Sequence, residues 1–303
     1  GLSVTTGVQN TLIGGQAGDA ITTGAYNVAL GYGSLSTEDT GSRNIAIGFQ
    51  ALVNQNIDGD IYNIAIGHNA GASVTTGIQN TIIGGLAGDA LTTGESNIAI
   101  GYLALSAEDT GLRNVAIGQR ALTNQNYDGS AYNIAIGHDA GKSVTSGISN
   151  TLIGGLAGDA LTVGNNNVSI GYSSLSSETE GDRNVAVGYD ALRNQNNTST
   201  TDVYNVAVGY SAGIQVTTGQ YNTILGGLAG DALTTGSRNT VVGMGALSAE
   251  DTGSKNVAVG WYALLNQNYD GDAYNVAVGY EAGKAITTGT KNTLVGGLAG
   301  DAI

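Results

Sequence analysis

The chain has 303 residues with 50 Gly, no Pro, no Cys and only 11% charged residues, well below the quarter usual for a globular enzyme. Its formal charge of −14 excludes a nucleic-acid partner, because phosphate binding needs clustered Lys and Arg. A hydrophobic content of 41%, regularly placed, argues against disorder, and no apolar run approaches the ~18 residues of a membrane-inserting helix.

Read from its start, the chain shows no signal peptide and begins at Gly1, as a fragment or processed product would. The first unit is "NTLIGGQAGDAITTG" (10–24), the second "NVALGYGSLSTEDTG" (27–41). The third, "NIAIGFQALVNQNIDGDIY" (44–62), carries an insertion, and the fourth is "NIAIGHNAGASVTTG" (63–77). Asn recurs 17 times from Asn10 to Asn292, mostly 17 residues apart, always with Gly four residues later. The units form blocks at 10–79, 80–149, 150–221 and 222–291, with a partial block at 292–303, in a single repeat array over 1–303. The insertion is always in the third unit and is longest at "NQNNTSTTDVY" (194–204), as expected of a loop on one edge.

Within one unit, Ile45 and Ile47 alternate with Ala46, the period of a short strand with one bulky and one small face. A second apolar patch at Ala51–Leu52 and a polar turn complete the unit. Two strand-like pieces and two turns predict one coil of a parallel β-solenoid, or β-roll, of about 17 coils with 17–21 residues each. Asn at each corner is expected to form a side-chain ladder and to adopt the left-handed conformation. The Gly four residues on is expected at positive φ or against a close backbone. Representative corners are Asn44 with Gly48, Asn114 with Gly118, Asn184 with Gly188 and Asn256 with Gly260. The position eight after Asn cycles Gly, Leu, Leu, Gly and is expected to modulate thickness. The small Ala/Ser faces are read as suited to packing several chains around an axis.

The motif in "NIAIGFQAL", "NVAIGQRAL" and "NVAVGYDAL" resembles the head repeats of trimeric autotransporter adhesins. The longer unit "NTLIGGLAGDALTTG" resembles repeat arrays of bacteriophage tail fibres. Both likenesses imply a homotrimer of side-by-side β-rolls, outside the cell on a virion or bacterial surface. The coils here are longer than the adhesin type.

"GGLAGDAL" (84–91, 154–161, 226–233) raises a calcium reading through Asp89, Asp159 and Asp231. The third Gly is displaced from the calcium nonapeptide, and each octamer supplies one carboxylate where calcium takes six to eight oxygens. These Asp are therefore read as corner residues satisfying backbone donors, with an axial metal site in an oligomer as the sharper alternative. No Lys follows the glycines, so phosphate binding is not expected, nor is any cofactor. His68 and His138 alternate with Tyr210 and Tyr280 and read as surface positions. The acidic runs at 36–41, 106–111, 176–181 and 248–253 read as solvated turns. The NQN loops are expected to expose Tyr, Asn and Gln, with Asn126, Tyr127, Asn196, Asn197, Asn268 and Tyr269 as contact candidates.

The sequence thus predicts a structural rod of an extracellular or virion fibre supporting attachment, without enzyme activity. Its partner is itself, in a trimer; uncapped solenoid ends would favour end-to-end stacking, which the sequence leaves open. The alternatives are a bacterial adhesin head, a module binding cell-surface glycan through the NQN loops, and an ice-binding solenoid using Thr23, Thr76, Thr218 and Thr235.

Overall fold

The computed structural model describes residues 1–302. Its strands are three residues long, one to a coil and parallel in every pairing, so the chain is a parallel β-solenoid of 17 coils with no helix among the described residues. The coils group into two units, Gly1–Ser149 and Asn150–Ile303, divided at a block boundary. The first unit holds β1 (Thr11–Ile13), β2 (Val28–Leu30), β3 (Ile45–Ile47), β4 (Ile64–Ile66), β5 (Thr81–Ile83), β6 (Ile98–Ile100), β7 (Val115–Ile117) and β8 (Ile134–Ile136). The second holds β9 (Thr151–Ile153), β10 (Val168–Ile170), β11 (Val185–Val187), β12 (Val206–Val208), β13 (Thr223–Leu225), β14 (Thr240–Val242), β15 (Val257–Val259), β16 (Val276–Val278) and β17 (Thr293–Val295).

Within each unit every residue pairs with its own repeat equivalent: Ala46 faces Ala29 in β2 and Ala65 in β4. That register keeps one face buried throughout, since a slip of one residue would turn every side chain over. The small residue is the buried one. Ala29, Ala46, Ala65, Ala99 and Ala116 are fully enclosed, while Ile45 and Ile47 flank Ala46 half-buried on the outside. The expectation that the small face packs chains together is therefore corrected: it lines the coil's own narrow interior, and the bulky face points out.

The first three steps of the Gly–Leu–Leu–Gly cycle work as volume compensation inside that core. In the fourth coil, where the strand residue is Ala65, the space at Gly71 is taken by Ile82 and Leu52 of the neighbouring coils. Coils with Leu at this position, such as Leu35 and Leu52, carry Ala in the strand; coils with Gly18 or Gly158 carry Leu12 or Leu152 there. A methyl group on Gly18 would lie 2.7 Å from Leu12 Cδ2, and one on Gly158 2.8 Å from Leu152 Cδ2. Filling the same space from alternate walls keeps interior density constant.

The second apolar patch is not a strand, a further correction. Leu52 sits at a φ of 50°, a left-handed conformation that ends any extended run. Its backbone groups are still satisfied coil to coil: Leu35 N–H donates to Ala51 O at 3.0 Å, and Leu52 N–H to Ala70 O at 3.1 Å. Outside the named strands only isolated bridges recur, such as Ser42 with Asp60 just before the Asn corner.

The Asn ladder is present. Asn27 N–H donates to Asn10 Oδ1 at 2.9 Å, Asn44 N–H to Asn27 Oδ1 at 2.9 Å, and Asn80 N–H to Asn63 Oδ1 at 2.8 Å. The amide nitrogen closes the coil, as where Asn80 Nδ2 donates to Gly94 O at 2.8 Å. The left-handed residue is the one before Asn, such as Tyr26 or Arg43, rather than Asn itself. Asn must enter the strand with its N–H aimed at the previous Asn, so the chain turns one residue earlier. Gly48, Gly118, Gly188 and Gly260 have φ values of 135°, 135°, 136° and 137°, and the next coil's backbone lies against each of them. Both reasons for glycine therefore hold at once.

Candidate functional site

Because the bulky strand face points out, successive coils line up two columns one and three positions after Asn, aliphatic except where Thr11, Thr81, Thr151, Thr223, Thr240 and Thr293 stand in the first. In the first unit they include Val28 and Leu30, Ile45 and Ile47, Ile64 and Ile66; in the second, Val185 and Val187, Val206 and Val208. Leu30, Ile134, Ile170 and Val208 are the most open of the interior coils, at 36–41% exposure. Eight coils about 4.8 Å apart make each such face roughly 38 Å long and, at two columns, on the order of 400 Å². That is within the roughly 300–600 Å² of the largest patch on a typical monomer, a size that is often functional.

Two further exposed columns flank it. Five residues after Asn, rings stack along the coils: Tyr32 on Phe49 with centroids 5.8 Å apart, Phe49 on His68 at 5.2 Å, Tyr172 on Tyr189 at 5.6 Å, Tyr189 on Tyr210 at 5.5 Å and Trp261 on Tyr280 at 5.0 Å. His68 and His138 lie in this exposed column, in agreement with the surface reading. One residue before Asn, cations stand beside Tyr in several neighbouring coils. Arg43 sits between Tyr26 and Tyr62, its guanidinium carbon 5.3 and 5.6 Å from their centroids, and is paired with Asp60 at 2.7 Å. Lys255 packs on Tyr274 and bonds Asp272 at 2.6 Å, which raises the Lys255 pKa and lowers that of Asp272.

The acidic runs are not solvated turns. Glu38, Glu108, Glu178 and Glu250 are completely buried, with the NQN glutamines Gln55, Gln125, Gln195 and Gln267 buried in the following coil. Glu38 accepts from Gly41 N–H at 2.7 Å and Gln55 Nε2 at 3.1 Å, and Gln55 Oε1 accepts from Asn63 Nδ2 at 2.8 Å. Burial pushes the carboxyl pKa of Glu38, Glu108 and Glu250 up, against the lowering effect of their hydrogen bonds. The signal was available in the repeat: eleven residues after Asn stand Ile21, Glu38, Gln55 and Val74 in turn, so Glu and Gln occupy a core column.

Of the loop candidates, Asn126, Asn196 and Asn268 are exposed, and Tyr127 and Tyr269 are half-buried. Asn197 is corrected: it is buried, with its N–H and Nδ2 each donating to Glu178 at 3.0 Å. Asp89, Asp159 and Asp231 are half-buried and lie in separate blocks; no group of three or more His, Cys, Asp or Glu able to hold a metal occurs among the described residues. The carboxyl groups of Asp89 and Asp231 each accept a hydrogen bond from their own backbone N–H. Oδ1 of Asp89 and of Asp231 is buried without a hydrogen-bond partner, and burial raises both pKa values. No protein-family model and no curated protein matches this chain.

Proposed function

We propose that the chain is the structural rod of an extracellular or virion fibre, of the phage tail-fibre kind, in which three copies lie side by side and support attachment to a host or surface. The observation that carries this reading is the outward face of β3, β4 and their equivalents. Its aliphatic columns have no covering element within their unit, and burying them against other copies is favourable at about 25 cal/mol per Å². Two such faces, one in each unit, each on the order of 400 Å², together offer roughly the 800 Å² that one partner contributes to a standard interface. A parallel in-register solenoid is also a suitable spacer, because every coil repeats the same hydrogen bonds to its neighbours. Catalysis has no part in this reading, and a bacterial adhesin head would use the same arrangement.

Light scattering on the purified chain, with electron micrographs of the same sample, tests the proposal. The expected mass is three times the 30.3 kDa of one chain, in rod-shaped particles. A monomeric mass at micromolar concentration overturns the assembly. A second reading, glycan binding through the NQN loops, is favoured by the exposure of Asn126, Asn196 and Asn268. Deleting those loops is expected to abolish glycan-array signal if that reading holds.

A further inference from the structure

Three of the four NQN loops carry the same dipeptide, and the fold holds it on one side only. Asp58-Gly59, Asp128-Gly129 and Asp270-Gly271 lie outside the strands in blocks 1, 2 and 4, with every Asp exposed and the glycines at φ values of 101°, 133° and 124°. The glycine carbonyls are engaged: Ser42, Leu112 and Ser254 N–H donate to Gly59, Gly129 and Gly271 O at 2.7–2.8 Å. The N–H groups of the same three glycines donate to nothing among the described residues. Each carboxylate is tied through one oxygen. Thr40, Thr110 and Thr252 Oγ1 donate to Oδ1 of Asp58, Asp128 and Asp270, the last two at 2.7 Å, and Oδ2 takes no bond. Block 3 differs at every point. Asp202 is followed by the β-branched Val203, whose N–H donates to Asp182 O at 3.1 Å in the previous coil.

A backbone nitrogen can attack the side-chain carbon of the preceding Asp and close a five-membered ring. A side chain on the attacking residue, a bonded N–H and a backbone fixed in a strand all oppose this. None of the three obstacles is present at Gly59, Gly129 or Gly271, whereas two of them are present at Val203. We propose that Asp58, Asp128 and Asp270 are sites of spontaneous succinimide formation and isomerisation to isoaspartate. The glycine nitrogen bonds to Asp Cγ, and its proton leaves with the carboxyl hydroxyl as one water. Water then opens the ring at either carbonyl, restoring Asp or giving isoaspartate, so the mass returns to that of the parent and no other reactant is needed. In isoaspartate the main chain runs through Cβ and Cγ, which removes the Thr bond to the preceding coil and lengthens the loop by one carbon. The inference rests neither on three-chain assembly nor on glycan binding.

The test ages the full chain at neutral pH for several weeks. Isoaspartate is then counted by methyl transfer from S-adenosylmethionine with an isoaspartate-specific methyltransferase, and placed by electron-transfer mass spectrometry of proteolytic peptides. The expected result is isoaspartate at Asp58, Asp128 and Asp270, each at least about tenfold above Asp202, a barrier difference of ~1.4 kcal/mol. Gly129→Val gives block 2 the β-branched neighbour of block 3 and is expected to lower the yield at Asp128 about tenfold. Asp58 and Asp270 in the same molecule are expected to keep the parent rate. Should that variant misfold, Asp128→Asn keeps the size and the Thr110 bond but loses ammonia rather than water, and is expected to raise the yield at residue 128 above the other two sites. Absence of isoaspartate from the three sites, equal amounts at Asp202, or no response at residue 128 to the folded variant overturns the proposal.

Discussion

Glu178 and Glu108 occupy the same buried core position in two different blocks, yet they are held differently. Glu178 accepts from the N–H groups of Thr179, Glu180, Gly181 and Asn197 and from the side chains of Gln195 and Asn197, at 2.8–3.2 Å. Glu108 is held by Gly111 and Tyr127 N–H at 2.8 and 3.3 Å, while Gln125 Nε2 in the next coil is left without a partner. The Gln bond does not follow loop length, since Gln55 in the short block 1 loop donates to Glu38 at 3.1 Å, but the extra bonds to Glu178 do. The longer insertion after Gln195 delivers Asn197 to the carboxylate, whereas "NQNYDG" leaves that space to Tyr127. An insertion that looks like surface decoration thus completes a buried polar network. Such networks are costly when half satisfied and specify a single arrangement when complete.

That contrast can be broken by substitution. Glu178→Ala strands the most donors and is expected to cost about 3–5 kcal/mol in urea unfolding. Glu108→Ala is expected to cost about 2 kcal/mol; equal losses at the two sites would contradict the contrast. Asn197→Ala removes one side-chain bond to Glu178 and is expected to cost about 1.5 kcal/mol, with no counterpart at Tyr127. Replacing the block 2 pair together, as Glu108→Leu/Gln125→Leu, is expected to leave stability within about 1 kcal/mol of the parent or to raise it. A large loss there would show that the pair contributes more than its desolvation removes.

The smallest effect is the pH dependence. Glu38, Glu108 and Glu250 have folded pKa values above their ordinary 4.5 because of burial, with Asp39, Asp109 and Asp251 adding repulsion. The folded state therefore favours the protonated acid. The stabilisation is fully present below pH 4.5 and is lost as pH rises through the raised folded values. Denaturant midpoints for the parent chain are expected to fall from pH 4.5 to pH 8 by more than those of Glu108→Leu/Gln125→Leu. Identical slopes would remove Glu108 from the account.

The strand positions and the glycines four residues after Asn were legible because a period of two and a strict spacing leave few alternatives. Which strand face points inward was not, since Ile45-Ala46-Ile47 reads equally well either way up. The outcome depends on how narrow the coil is, a property of the opposite wall. Glu38 was misread because its neighbours Asp39, Thr40 and Gly41 have turn chemistry, although its column is otherwise Ile, Val, Leu and Gln. Asn197 was misread for the converse reason: its loop is polar, but its partner lies 19 residues earlier in the previous coil.

Whether the outward aliphatic columns are the surface on which copies meet is decided by the solution mass of the parent chain beside that of Ile47→Glu/Ile66→Glu/Val187→Glu. All three positions lie on the outward face, so circular dichroism is expected to be retained. The account predicts three times 30.3 kDa for the parent and a single chain mass for the variant. A monomeric parent, or a variant that stays trimeric, would contradict it.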